Sequence, residues 1–120
     1  MNPRHLRGLR AESKALAWLK SKGLALIRQN YQCRYGELDL IMLDDDTVVA
    51  VEVRSRQTSQ FLQPSLSVDH RKQGKLIRSA EYFLQANPAY AGNAVRFDVV
   101  AIINNGRSEI KWLRDAFRVD

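Results

Sequence analysis

Cysteine and histidine are scarce in this chain of 120 residues, and the scarcity removes whole classes of chemistry. Cys33 is the single cysteine, so an intrachain disulfide is excluded, and with only His5 and His70 beside it a Cys/His zinc site cannot be completed. Long apolar runs are missing as well: no segment approaches the ~18 consecutive apolar residues of a membrane span, and the opening MNPRHLRGLR is basic without a signal peptide's apolar stretch. The expectation is a chain neither exported nor membrane-embedded, suited to a reducing cytoplasm. No internal repeat or low-complexity tract is present. Negative charge is the scarcer sign, 13 Asp and Glu against 19 Lys and Arg, and the net charge of +6 makes a polyanion the first partner to consider.

What is there suits one globular domain. Hydrophobic residues at 45% set the chain apart from the disordered class, and its length allows one modest core. The organisation expected is a single domain over residues 1–120 with a short basic N-terminal arm. Ala11, Ala15, Trp18 and Leu19 recur at helical spacing within 8–22, and Gly23 supplies a stop. Apolar and aromatic runs at 24–32, 38–43 and 47–53 read as strands, with Asp44, Asp45 and Asp46 turning between the last two. RQTSQFLQPSLS, without a period, reads as a loop. Val68, Leu76, Ile77, Ala80, Phe83 and Leu84 mark a helix over 67–86, broken by NPAYAGN, and VRFDVVAII and SEIKWLRDAF complete the pattern as strands around a glycine turn. The fold class is α/β, in the order αβββαββ. It predicts a mixed sheet with helices on both faces, because the central strands are apolar on both sides.

Charges interrupt those apolar strands at Glu37, Asp39, Glu52 and Arg54. If Asp45 and Asp46 form a two-residue hairpin turn, Asp44 opposes Thr47, Asp39 falls opposite Glu52 and Glu37 opposite Arg54, and all four share one face. A slip of one residue would part the two pairs. Facing carboxylates have Cβ atoms ~4.5–5.5 Å apart and repel, so a hard divalent cation with oxygen ligands would neutralise them. A plain structural alternative is a Glu37–Arg54 ion pair at the sheet end, with Asp39 and Glu52 solvated. The residues alone leave both open.

GELD followed past a hairpin by VAVEVRSR resembles the PD-(D/E)XK nuclease motif. GLRAESKALAWLKSKG, RQNYQCRYGELDLI, VEVRSR, RKQGKLIRSAEYFL and VRFDVV, in that order, resemble the YraN-like family of uncharacterised bacterial proteins, related to archaeal Holliday junction resolvases. The resemblance implies a restriction-endonuclease-like mixed sheet flanked by helices and hydrolysis of DNA phosphodiester bonds, including branched recombination or repair intermediates. It also implies Mg2+ or Mn2+ held by Asp39 and Glu52, with Arg54 and Glu12 as further catalytic residues and Glu37 beside them. Cutting a symmetric junction would need two sites and hence a homodimer. The motif expects lysine where Arg54 stands, and arginine keeps its charge without exchanging a proton. A nucleic-acid-binding module with a silent site is therefore the alternative, and Lys72 is the substitute ammonium donor if its helix approaches the hairpin.

Arg71, Lys72, Gln73 and Lys75 form the expected nucleic-acid-binding set, against the plainer reading of a solvated helix face. For Glu12, a place near the positive end of the first helix makes dipole compensation a rival to a site role. Trp18, Phe83 and Phe97 read as core, Cys33 as a packing residue, and Asp98 as either a partner for Arg96 or a support of the sheet end.

Overall fold

The computed structural model describes residues 2–56, 67–104, 106 and 108–119, apart from the side chain of Arg4. Its elements are α1 (Pro3–Ser21), β1 (Ala25–Cys33), β2 (Gly36–Asp44), β3 (Thr47–Arg56), α2 (His70–Ala86), a 3-10 turn (Pro88–Tyr90), β4 (Ala94–Asn104) and β5 (Ser108–Phe117). This is the order αβββαββ read from the sequence. The strands form one open sheet in the order β1-β2-β3-β4-β5, with β3 and β4 parallel and the other neighbours antiparallel. A parallel pair needs a crossover, and α2 lies in the connection from β3 to β4. Nearly all of the loop expected at 56–67 lies outside the described residues. Among the described residues, no helix is long and apolar enough to cross a membrane.

The sheet is buried on both faces. On one face Ala11, Ala15 and Leu19 of α1 pack with Leu40, Val49, Val51 and Val100, and Trp18 packs edge-on to Trp112 of β5 at 5.3 Å between ring centroids. On the other face Leu76, Ala80 and Phe83 of α2 pack with Tyr31, Leu38, Ile41, Ala50 and Val99. Phe83 is 1% exposed and meets Tyr31 edge-on; burial of such a ring stabilises by roughly 1.5–3 kcal/mol. The core readings of Trp18, Phe83 and Phe97 agree with these clusters, and Cys33 packs at the edge of the second.

Helix ends correct two expectations. The expected start at Gly8 gives way to a helix beginning at Pro3, with Leu6 N–H donating to Asn2 O at 3.0 Å. Proline's fixed φ suits the first helical position, and Gly8 costs only about 1 kcal/mol relative to alanine, too little to break the run. Glu12 therefore sits in mid-helix, and its dipole-compensating role falls away. At the other end, Gly23 takes φ +97 while Leu24 N–H reaches Leu19 O at 3.1 Å, closing the helix with the left-handed residue such an ending requires. α2 starts at His70 and not at 67, because the Asp69 carboxylate accepts the Lys72 N–H at 2.8 Å and caps it.

A polar network ties β4 to its neighbours. Buried Asp98 accepts from Arg96 Nε and Nη2 at 2.9 and 3.0 Å, from Trp112 Nε1 at 3.0 Å and from the Asp115 N–H at 2.9 Å. Arg96 also donates to Asp44, which Arg114 meets at 3.2 Å. The expected Arg96–Asp98 pair is thus the centre of a network joining β2, β4 and β5.

Candidate functional site at the fork of the central hairpin

The two-residue turn at Asp45 and Asp46 sets the register: Asp44 pairs with Thr47, and the β2–β3 ladder runs up to Leu40 opposite Val51. There it ends, and Asp39 and Glu52 are the next residues on each strand. Val53 N–H, which a continued ladder would give to a backbone carbonyl, donates instead to Asp39 Oδ2 at 2.8 Å. The Asp39 side chain fills the fork between the strands, and its carboxyl lies beside that of Glu52.

The four charges do not share one face. Leu38 belongs to the core under α2 and Leu40 to the core under α1, while Asp39 opens toward α1, so two consecutive residues point the same way and the alternation is broken. Asn30 on β1, between the partners of Leu38 and Leu40, takes φ +51 at this place. Glu37, Asp39, Glu12, Asn30 and His5 line a cleft of about 470 Å3 beside α1. Glu52 and Arg54 turn toward α2: Glu52 Oε2 pairs with the Lys72 ammonium, and Arg54 Nη2 donates to Ser67 O at 3.1 Å. The expected single patch is thus divided between the faces, with Asp39 meeting Glu52 through the fork.

Burial is the main cause that pushes the Asp39 carboxyl up to about 8, assisted by the charges of Glu52 and Glu12 and opposed by the Val53 hydrogen bond. Glu12 is raised above its ordinary range by burial and then by Glu37, against an Asn30 hydrogen bond and the charge of His5. Its Oε1 is buried with no hydrogen-bond partner among the described residues. Glu52, 9% exposed, is compensated by Lys72 through an ion pair and not an aligned hydrogen bond.

Carboxylate oxygens are the hard donors that Mg2+ and Mn2+ take. Asp39 and Glu52 bring two such groups into contact, and the orphaned Glu12 oxygen lies at the same cleft. Among the described residues no group of three or more His, Cys, Asp or Glu is gathered tightly enough for an all-protein cage. Two carboxylates with water and phosphate oxygens completing the shell is the usual Mg2+ arrangement, so the residues fit.

The basic residues gather on the other side of Glu52. Arg71, Lys72 and Lys75 line an open depression with Asp69 at the start of α2. Gln73 faces the helix start, its amide nitrogen donating to Val68 O at 2.6 Å. Lys72 is not merely a solvated surface residue, since its ammonium reaches a buried carboxylate. Asp69, which positions Lys72 through its cap, was missed by sequence reasoning, although an Asp directly before a helical run is a recognisable signal.

Comparison with known proteins agrees along nearly the whole chain. The family described as "Uncharacterised protein family UPF0102" matches residues 11–102. A UPF0102 protein of Ectopseudomonas mendocina is 51% identical over 110 residues, covering 92% of each chain. One of Pseudomonas fluorescens is 49% identical over 114 residues and 94% of each, and one of Nitrosomonas europaea 44% identical over 111 residues and 92% of each. This chain belongs to the UPF0102 family, the YraN-like proteins its motifs resemble.

Proposed function

We propose that the chain is a divalent-cation-dependent nuclease hydrolysing DNA phosphodiester bonds, with its site at the β2–β3 fork. The observation that carries this reading is the placing of Asp39 and Glu52 at the strand fork just past the Leu40–Val51 pair, with Lys72 joining Glu52 to an open basic depression. Buried, perturbed carboxyls set side by side cluster at functional sites, and phosphate recognition needs the cations next door.

Asp39 and Glu52 would hold Mg2+ or Mn2+, which when bound polarises the scissile phosphate and lowers the pKa of a coordinated water. Val53 N–H fixes the orientation of Asp39, so the carboxylate pair is set before substrate arrives. Arg54 tethers the segment entering α2 through Ser67 O and adds fixed positive charge. Lys72 supplies the ammonium that strand position 54 lacks, placed to stabilise negative charge growing on the phosphate oxygens. Arg71 and Lys75 hold the flanking phosphates.

The structural use of Arg54, in place of the motif's lysine, favours a second reading in which the module binds nucleic acid without cutting it. Incubation of the protein and its Glu52→Gln variant with linear, flapped and four-way DNA in Mg2+, Mn2+ or chelator decides between them. Cation-dependent cutting by wild type alone is expected. Equal cutting by both proteins would mark a contaminant, and binding without cutting would select the second reading.

A further inference from the structure

Two aromatic rings lie outside both core clusters and remain open to solvent: Tyr35, in the β1–β2 turn, is 36% exposed, and Tyr82 on α2 is 40% exposed. They meet with centroids 6.2 Å apart and planes inclined at 67°. The core beneath does not need them, because Phe83 already closes it against Tyr31 and Tyr90. The turn is held against α2 at Gly36, where a Cβ would lie 3.6 Å from Ser79 Oγ and 4.0 Å from Lys75 Cβ, and this close approach sets Tyr35 beside Tyr82.

The surroundings are cationic. The Arg34 guanidinium lies 5.2 Å from the Tyr35 ring centroid and adds a further planar stacking surface. Arg71, Lys75, Arg78 and Tyr82 are all exposed and fall at i, i+4, i+7 and i+11, one stripe along α2. The stripe is ~16 Å long, beginning beside Lys72 and Glu52 and ending on the tyrosines. A row of cations running from paired carboxylates to open aromatic rings matches a strand whose phosphates follow the charges and whose bases are free to stack. Bases inside a duplex are already stacked on one another and have no face to offer.

Resting on the nuclease reading above, we infer that Tyr35 and Tyr82 form a stacking platform for unpaired bases, so that the substrate carries a single-stranded segment beside the cleaved bond. The occupant is nucleic acid and not an apolar protein surface, because the rings are ringed by cations.

The test is fluorescence anisotropy in chelator and low salt, using a labelled single strand, its hairpin duplex, and a single strand containing 2-aminopurine. Wild type should bind the single strand more tightly than the duplex and quench 2-aminopurine. Tyr35→Ala and Tyr82→Ala should each weaken single-strand binding by about 5- to 150-fold, change duplex binding by less than about twofold, and lose the quench. Tyr35→Phe and Tyr82→Phe, which keep the ring, should bind as wild type does. Alanine variants that bind single strands like wild type, or lose single-strand and duplex binding equally, would overturn the platform. Failure of the nuclease reading has a different signature: no cation-dependent cutting, with the tyrosine-dependent quench intact. Absence of binding to every nucleic acid overturns both.

Discussion

Replacing Asp39 by asparagine should make the cation-free fold more stable at alkaline pH. In the fold, the carboxyl is raised from 3.8 to about 8, first by burial and then by its neighbours. For a carboxyl raised on folding, the stabilising contribution is complete below 3.8, declines as pH climbs and is gone once pH has passed about 8. Roughly four pH units at 1.36 kcal/mol each puts the loss on the order of 5 kcal/mol, a large part of a small domain's stability. Asparagine mimics the protonated state: its carbonyl oxygen can accept the Val53 N–H and its amide can donate to Glu52. Urea unfolding followed by the fluorescence of Trp18 and Trp112, in chelator at pH 5 and pH 9, measures the difference. The variant should lead by roughly 1–2 kcal/mol at pH 5, which already lies above 3.8, and by about 5 kcal/mol at pH 9, and Mg2+ at pH 9 should stabilise wild type more than the variant. Parallel stability curves for the two proteins across this range would refute the assignment of Asp39 as a buried carboxyl strained by ionisation.

Three further outcomes follow from the geometry. Arg54→Lys should retain or raise any cleavage and Arg54→Ala should lower it; initial rates in Mg2+ measure this, and the opposite order would remove Arg54 from the site. Replacing Lys72 and Lys75 together by alanine should weaken DNA binding at all sequences and flatten the plot of log affinity against log salt by about two, read from a titration between 50 and 200 mM salt. Asp98→Ala strands the Arg96 guanidinium and the Trp112 N–H, and should cost about 3–5 kcal/mol in chemical denaturation without changing the salt slope of DNA binding.

The hairpin register was legible because its turn is short: with Asp45 and Asp46 as the turn, every ladder pair from Asp44–Thr47 to Leu40–Val51 follows. The helix faces were legible for the same kind of reason, since Leu76, Ala80 and Phe83 repeat at the helical period and all are buried. What alternation could not show was its own interruption at Asp39, where a neighbouring strand places Asn30 in the left-handed region. Nor does any local pattern reveal that the ladder ends one pair before the carboxylates, or that Lys72 reaches Glu52, because both depend on how distant elements meet in space. The start of α1 was missed for a local reason: Gly8 looks like a boundary, whereas Pro3 is the residue that sets the helix.

The fork also contains a reporter of its own state. Val53 N–H is held by a side chain, Asp39, just past the point where the β2–β3 ladder ends at Leu40 and Val51. Its exchange with solvent deuterium therefore follows how firmly one carboxylate is fixed and not the opening of the whole sheet. A cation seated on Asp39 would slow that single exchange, and neutral substitution of Glu52 would speed it, while the amides of Ile41 and Val49 kept their rates. One backbone position would then give the occupancy of the site in solution, without substrate and without turnover.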